Sequence, residues 1–294
     1  MSGSFALFLL RRTVGVVVVS VAVTALTWVT LNGLHVGDLL SYLERAFLHG
    51  DLGDSRRPLR PVTDILRETV PADLSLIVGA LLFGLAGGIV GGAVCAQRPG
   101  TWLSRGVQLA ATVMLCAPVY VVGMIVILLF GKSVGAPVPL PFVSPNSYVP
   151  LTQDPLKWLN SLVVPWLIVA APLAAMYLRM TRAVLPEIAD AEFVRTATAK
   201  GLSPLQVTAR HTLPAAVPPS LSLAGASLPL MIGNVILVEA VFGIPGVYRL
   251  IPSALDNGNF PVLQGIVIVG AIFIVVANAL ADITLALIDP RVRA

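Results

Sequence analysis

Six apolar runs, each close to the length of a bilayer-crossing helix, constrain this chain more than any motif in it. They fall at roughly 13–31, 74–96, 107–130, 161–178, 217–240 and 262–287. A helix that spans the hydrocarbon core needs about 20 mostly apolar residues. Lipid offers backbone N–H and C=O groups no partner, so such runs become helices packed on one another. The composition agrees: 56% of the 294 residues are hydrophobic and 12% charged, with a mean hydropathy of +0.89. A soluble domain carries roughly a quarter charged residues, so this chain is neither a soluble enzyme nor a disordered linker. The pI near 9.4 does not indicate a nucleic-acid binder, because the 19 Lys and Arg are scattered between the apolar runs. Cys95 and Cys116 both lie inside apolar stretches, and no disulfide framework follows. The fold class is an all-α membrane protein with six transmembrane helices and a structured outer loop after the first.

Arg11 and Arg12 precede the first run, as in a secretory signal. The run extends to Trp28 and Asn32 with no small-residue cleavage site, and reads as a retained span. With the first end inside, the inner segments hold Arg11, Arg12, Arg98, Arg105, Arg179, Arg182, Arg195, Lys200, Arg210, Arg291 and Arg293. The outer ones hold Arg45, Arg56, Arg57, Arg60, Arg67, Lys132, Lys157 and Arg249. Five of these outer charges sit in one long, acid-containing loop, so the positive-inside bias favours both termini in the cytoplasm. The expected units are a first transmembrane helix (1–32), an outer loop region (33–72), a membrane domain (73–288) carrying a cytoplasmic loop at about 185–214, and a cytoplasmic tail (289–294).

The outer loop contains an amphipathic stretch, Leu39 to Leu48, then the turn-forming Gly50-Asp51-Leu52-Gly53-Asp54. A second helical piece is expected from Pro61 to Val70, with Pro71 opening the next helix. The inner segment 179–214 reads as a short helix, a break at Gly201, and a second short helix opened by Ser203 with Pro204 in its first turn. Pro118, Pro165, Pro172 and Pro229 lie inside spans, where neighbouring helices or a water-filled cavity can satisfy the freed carbonyls. Gly84, Gly88 and Gly92 form a small-residue stripe that lets another helix approach closely.

Several apparent sites fail on inspection. Gly131-Lys132-Ser133 resembles the end of a P-loop, but the glycine such a loop needs at 126 is Val and no strand precedes it. Without a P-loop this chain cannot hydrolyse ATP alone. His35, His49 and His211 are too dispersed for a zinc site. Acids within spans carry more information, because ionisable groups are costly in hydrocarbon and face the bundle interior or a pathway. Glu239 ends the fifth span and fits either a structural role or a path. Asp282, near the inner end of the sixth, fits snorkelling or pairing with arginine. Ser220, Ser227 and Asn234 recur every seven residues and suit either a path lining or interhelical hydrogen bonds.

The stretch Glu192-Phe193-Val194-Arg195-Thr196-Ala197-Thr198-Ala199-Lys200-Gly201-Leu202-Ser203 resembles the cytoplasmic-loop signature of ABC importer permeases of the dipeptide/oligopeptide type. Gly201 and Leu213-Pro214 stand at the spacing of the wider importer pattern. Arg195, Thr196 and Ala197 occupy its Glu-Ala-Ala positions, a departure shared with the peptide subfamily, and His211 replaces an Ile. The resemblance extends to Gly50-Asp51-Leu52-Gly53, Arg60-Pro61-Val62, Val238-Glu239-Ala240-Val241-Phe242-Gly243-Ile244-Pro245-Gly246, Phe260-Pro261-Val262-Leu263-Gln264-Gly265 and Asp289-Pro290-Arg291-Val292-Arg293. Tyr248 stands where many relatives have glycine.

The resemblance implies a type I importer permease that forms half of a translocation path in the bacterial inner membrane. Its expected partners are a second homologous permease, two ATP-binding subunits or one fused ATPase, and an extracytoplasmic substrate-binding protein. It implies no cofactor on this chain, with ATP and Mg at the partner subunits. Glu192, Phe193, Arg195, Thr196, Ala197, Lys200, Gly201 and Leu202 would form the ATPase-coupling loop, with Phe193, Ala197 and Leu202 as apolar anchors. Ser220, Ser227, Asn234 and Glu239 are candidates for the path. The implied cargo is a peptide, with a nickel chelate, haem or a glutathione-like solute as alternatives. An ion-coupled secondary transporter using Glu239 and Asp282 is the competing class.

Overall fold

The computed structural model describes residues 2–33 and 35–288; the Asp289-Pro290-Arg291-Val292-Arg293 motif and the expected tail lie outside the described residues. Helix α1 (Ser2–Asn32) is followed by α2 (Val36–Glu44), whose end widens into a looser turn over Arg45–His49. An antiparallel hairpin comes next, β1 (Asp54–Arg56) and β2 (Leu59–Pro61), with Ser55 opposite Arg60. The bundle then comprises α3 (Val62–Gln97), α4 (Trp102–Cys116), α5 (Val119–Phe130) and α6 (Pro155–Ala189). Two short helices, α7 (Glu192–Ala199) and α8 (Pro204–Val207), precede α9 (Leu213–Ala226) and α10 (Leu228–Phe242). The last two are α11 (Ile251–Asp256) and α12 (Phe260–Ile288).

Four stretches can each cross a bilayer as one helix: Thr13–Asn32, α3, α6 and Phe260–Ala286. The other two expected spans are not straight. α4 and α5 meet at 109°, and the helical stretch Pro204–Ala226 meets α10 at 59°; six spans result when each bent pair counts as one. The expectation of one helix over 107–130 is therefore corrected, and Pro118 supplies the reason. A proline disfavours helical geometry in the residue before it, and Ala117 is extended with ψ 129. In the fifth span the chain breaks at Ser227, with Pro229 in the first turn of α10.

The outer segment also differs from expectation. No separate helix ends before Pro71: α3 runs through it from Val62 to Gln97. Ile65, Leu66, Ala72 and Leu76 all join the central core, so burial on one side holds both halves in a single helix despite the proline. The hairpin between 54 and 61 has too little alternation in three-residue strands to be read from sequence.

α3 and α6 form the centre of the bundle. Gly84 lies against Leu173, Gly88 against Tyr177 and Gly92 against Thr181, so contact positions rise together and the two helices run parallel. A Cβ on Gly88 would sit 2.5 Å from the Tyr177 Cβ and 2.8 Å from the Ala174 carbonyl. The glycine stripe thus performs the close approach expected of it, with α6 as its partner. Tyr177 and Thr181 of α6 then bond Ser227 and Ser220 respectively, so α9 runs antiparallel to α6. α1 packs along α12, and α5 along α10. Because α3 and α6 are parallel, the hairpin at the start of α3 and the α7–α8 loop after α6 occupy opposite ends of the bundle.

Candidate functional site

At one end, α7 and α8 form the helix–glycine–helix unit expected from the sequence. Ser203 caps α8: its Oγ accepts from the Gln206 N–H, and the Gln206 side chain accepts from the Ser203 N–H at 3.0 Å. This reciprocal box satisfies donors that a short helix would otherwise expose. Gly201 links the two helices with φ +81, the left-handed region open to glycine.

The eight expected loop residues divide by where they face. Glu192, Phe193, Arg195, Thr196, Lys200 and Gly201 are exposed. Ala197 is buried instead, in a small core with Val194 and Val207, and Leu202 packs half-buried against it. Ala197 and Leu202 therefore hold the loop together and are not outward anchors. Ala197 lies on α7 and Leu202 in the link to α8, and only the fold of α7 onto α8 decides which side is covered. The outward apolar groups are Phe193, 49% exposed, and Leu205, 71% exposed; the sequence reading missed Leu205. Ile188 packs against this core and also against the cluster of Ala93, Leu185 and Ala216 at the ends of α3, α6 and α9. The loop is thus mechanically continuous with the bundle.

The four polar residues proposed for a path have different surroundings. Ser220 is buried and pairs with Thr181 Oγ1 at 3.0 Å. Ser227 is buried, 2.7 Å from the Tyr177 hydroxyl, and donates to the Ala224 carbonyl. These are interhelical bonds of the kind common in membranes, and neither serine faces open space in this structure. Asn234 does: it is half-buried beside a groove of about 300 Å³, which the bend at Pro118, Tyr120, Pro172, Leu230 and Leu237 also line. A separate cleft of about 380 Å³ between α3, α9 and α12 is almost wholly apolar and offers nothing to a polar solute. Asp282 is half-buried on α12.

Glu239 lies at the other end of the bundle, fully buried with Asp73 of α3. Its Oε2 accepts the Arg249 N–H at 3.0 Å, while Asp73 Oδ2 accepts the Val247 N–H at 2.8 Å. The two carboxyls thus bond the same short turn, at backbone N–H groups two residues apart. Gly246 lies so close to the Glu239 carboxyl that any Cβ there would collide with it. Asp73 was not singled out in the sequence; its position in a helix of mean apolar character was the available signal. Nearby, Asn259 ties the hairpin to the start of α12: it accepts from the Arg56 N–H and donates to Ser55 Oγ and the Arg57 carbonyl. At the start of α6, the Lys157 backbone N–H and its ammonium hold the Asp154 carboxyl below the usual carboxylate range. Among the described residues no three metal-ligating side chains cluster.

A bent-helix bundle with a capped helix–glycine–helix loop at one end is a polytopic membrane fold. Residues 88–294 match the family described as binding-protein-dependent transport system inner membrane component, and the chain belongs to it. It is accordingly a multi-pass inner-membrane permease component of an ABC importer, and not itself an enzyme: separate subunits hydrolyse ATP, and a binding protein serves the system. It is 32% identical over 245 residues to a putative peptide transport system permease protein of Brucella abortus (strain 2308), covering 83% of this chain and 76% of the relative. A dipeptide transport system permease protein of Haemophilus influenzae is 29% identical, with 84% and 78% covered. A glutathione transport system permease protein of Escherichia coli O6:H1 is 30% identical, with 86% and 78% covered. Nothing in these matches supports an ion-coupled carrier.

Proposed function

We propose that this chain forms half of the translocation path for peptides or related small solutes, with α7–α8 as the element that receives the ATPase stroke. The carrying observation is the exposed pair Phe193 and Leu205 on a loop whose own core rests on Ile188. Two apolar side chains flanked by Arg195 and Lys200 suit a groove on a soluble partner, in the manner of a helix laid into a hydrophobic cleft. Displacement of the loop would move the ends of α6 and α9 together, and the bend at Ser227 gives α9 and α10 a place to flex. Asn234 and its groove at the Pro118 bend are the proposed wall of the path, with a second, homologous permease facing it. Two ATP-binding subunits, or one fused ATPase, would sit below, and an extracytoplasmic binding protein would dock above on the hairpin and the 241–260 segment. In this arrangement the membrane domain is 73–288, both termini are cytoplasmic, and the chain binds no cofactor, since ATP and Mg belong to the partners. The peptide assignment follows the relatives, whose names give peptides, dipeptides and glutathione.

The test is to exchange Phe193→Asp and Leu205→Asp in the co-expressed complex. Both side chains are outward, so the bundle is expected to fold as before. Loss of ATPase co-purification and of ATP-dependent uptake is the expected result. Wild-type assembly and uptake in the double variant would remove the coupling assignment.

A further inference from the structure

Asp73 and Glu239 bring two carboxyls to one turn, and among the described residues no positive side chain pairs with them. Both are fully buried, on α3 and α10 respectively. Among the described residues neither takes part in an ion pair. One oxygen of each is occupied by a backbone donor of the outer turn, Val247 or Arg249. The remaining oxygens, Asp73 Oδ1 and Glu239 Oε1, are buried without a hydrogen-bond partner. The other titratable groups facing them are the Tyr248 phenol, above from the turn, and Tyr148, from the segment between α5 and α6. The Arg249 guanidinium turns away and donates to the Gly243 carbonyl at 2.9 Å.

Two ionised carboxylates buried against one turn repel each other, and each leaves an acceptor without a donor. One hydrogen atom removes both problems. We propose that Asp73 and Glu239 constitute a proton-binding site, a carboxylic acid donating to a carboxylate through Asp73 Oδ1 and Glu239 Oε1, which positions the outer turn at 246–249. The pair then carries one negative charge, matched to the N–H groups of Val247 and Arg249 that point at it. Every polar atom of the two carboxyls gains a partner, and α3, α10 and the outer turn become one unit. The proton is a fixed structural ligand, distinct from any cargo. The proposal stands apart from the coupling loop, because it concerns the opposite end of the bundle.

Infrared spectroscopy of the full chain, co-expressed with its partners and held in lipid nanodiscs at neutral pH, tests this directly. A protonated carboxyl absorbs apart from ionised ones, and its C=O stretch shifts in D2O. The wild-type protein is expected to show such a band, and Asp73→Asn and Glu239→Gln are each expected to abolish that same band. In each variant an amide N–H replaces the shared proton, so the charge and geometry persist and the 247–249 amides keep their protection from hydrogen exchange. Asp73→Ala removes the Val247 acceptor and leaves Glu239 alone, and is expected to speed exchange of the Val247 amide about tenfold or more. A wild-type spectrum without the band overturns the proposal, as does a band that neither amide variant removes. If the variants fail to fold, 13C-carboxyl labelling of aspartate and glutamate in the wild-type chain assigns the band without substitution. Dependence of the turn's protection on sodium or potassium would also overturn it, since a bound cation would then take the proton's place.

Discussion

Substitution of Gly201 distinguishes two reasons for a glycine in the proposed coupling loop. Its φ is +81, and a Cβ built there meets nothing within 4 Å in this chain. Sterics inside the subunit therefore do not demand glycine; the backbone does. A residue with a side chain pays about 1–2 kcal/mol in the left-handed region, which is a factor of about 5–30 in population. Asparagine tolerates that region better than alanine or valine. The loop has little to set against the strain: the Gly201 N–H reaches the Thr198 carbonyl at 2.9 Å, and the small core comprises Val194, Ala197 and Val207. ATP-driven uptake in proteoliposomes is therefore expected to fall in the order wild type, Gly201→Asn, Gly201→Ala, Gly201→Val, with ATP hydrolysis less affected than uptake. If the asparagine variant were instead as impaired as the alanine variant, the ATPase surface would approach the glycine too closely for any side chain. Wild-type uptake by both the alanine and the valine variants would refute the backbone argument.

Gly88→Ala forces α3 and α6 apart, because the new methyl meets Tyr177 at 2.5 Å and the Ala174 carbonyl at 2.8 Å. Overpacking of this kind costs about 1–3 kcal/mol, and a lower midpoint in a thermal-unfolding scan is expected relative to Gly106→Ala, where nothing lies within 4 Å; equal midpoints would contradict the packing. Asn259→Ala deletes the clamp on Ser55, Arg56 and Arg57, a loss of about 1–3 kcal/mol in buried hydrogen bonding. Faster tryptic cleavage at Arg56 with an intact bundle is expected; an unchanged cleavage rate would show that the hairpin is held by other contacts.

The apolar spans and the helix–glycine–helix loop were legible because they rest on local rules. Apolar run length places the spans, Ser203 with Pro204 marks the start of α8, and Gly201 marks the break before it. The glycine stripe on α3 was legible as a packing face, but not its partner: α6 is recognised only when Gly88 meets Tyr177. Pro71 and Pro118 show the limit of local rules. Both are prolines flanked by apolar residues, yet α3 passes through the first and the chain turns by 109° at the second. The difference lies in what surrounds them. Residues on both sides of Pro71 bury the same face, whereas α4 packs on α6 and α3 and α5 chiefly on α10.

The candidate site divides in the same way. The sequence located the helix–glycine–helix loop, yet it could not tell Phe193, which faces outward, from Ala197, which faces the loop's own core; helical spacing assigns faces but not what covers them. Ser220, Ser227 and Asn234 look equivalent at a spacing of seven. The break at Ser227 and the hydroxyls of Thr181 and Tyr177 make two of them internal bonds and leave Asn234 at the groove.

By itself, then, the chain determines that it lives in lipid, because apolar length and scarce charge are properties any window of the sequence carries. It also determines its family, through a loop signature contained in a dozen consecutive residues. Tertiary structure alone decided that Asp73, 166 positions before Glu239 in the chain, is that residue's partner. Desolvation and hydrogen bonding act at contact distance, and contacts between residues so far apart exist only once the helices have packed.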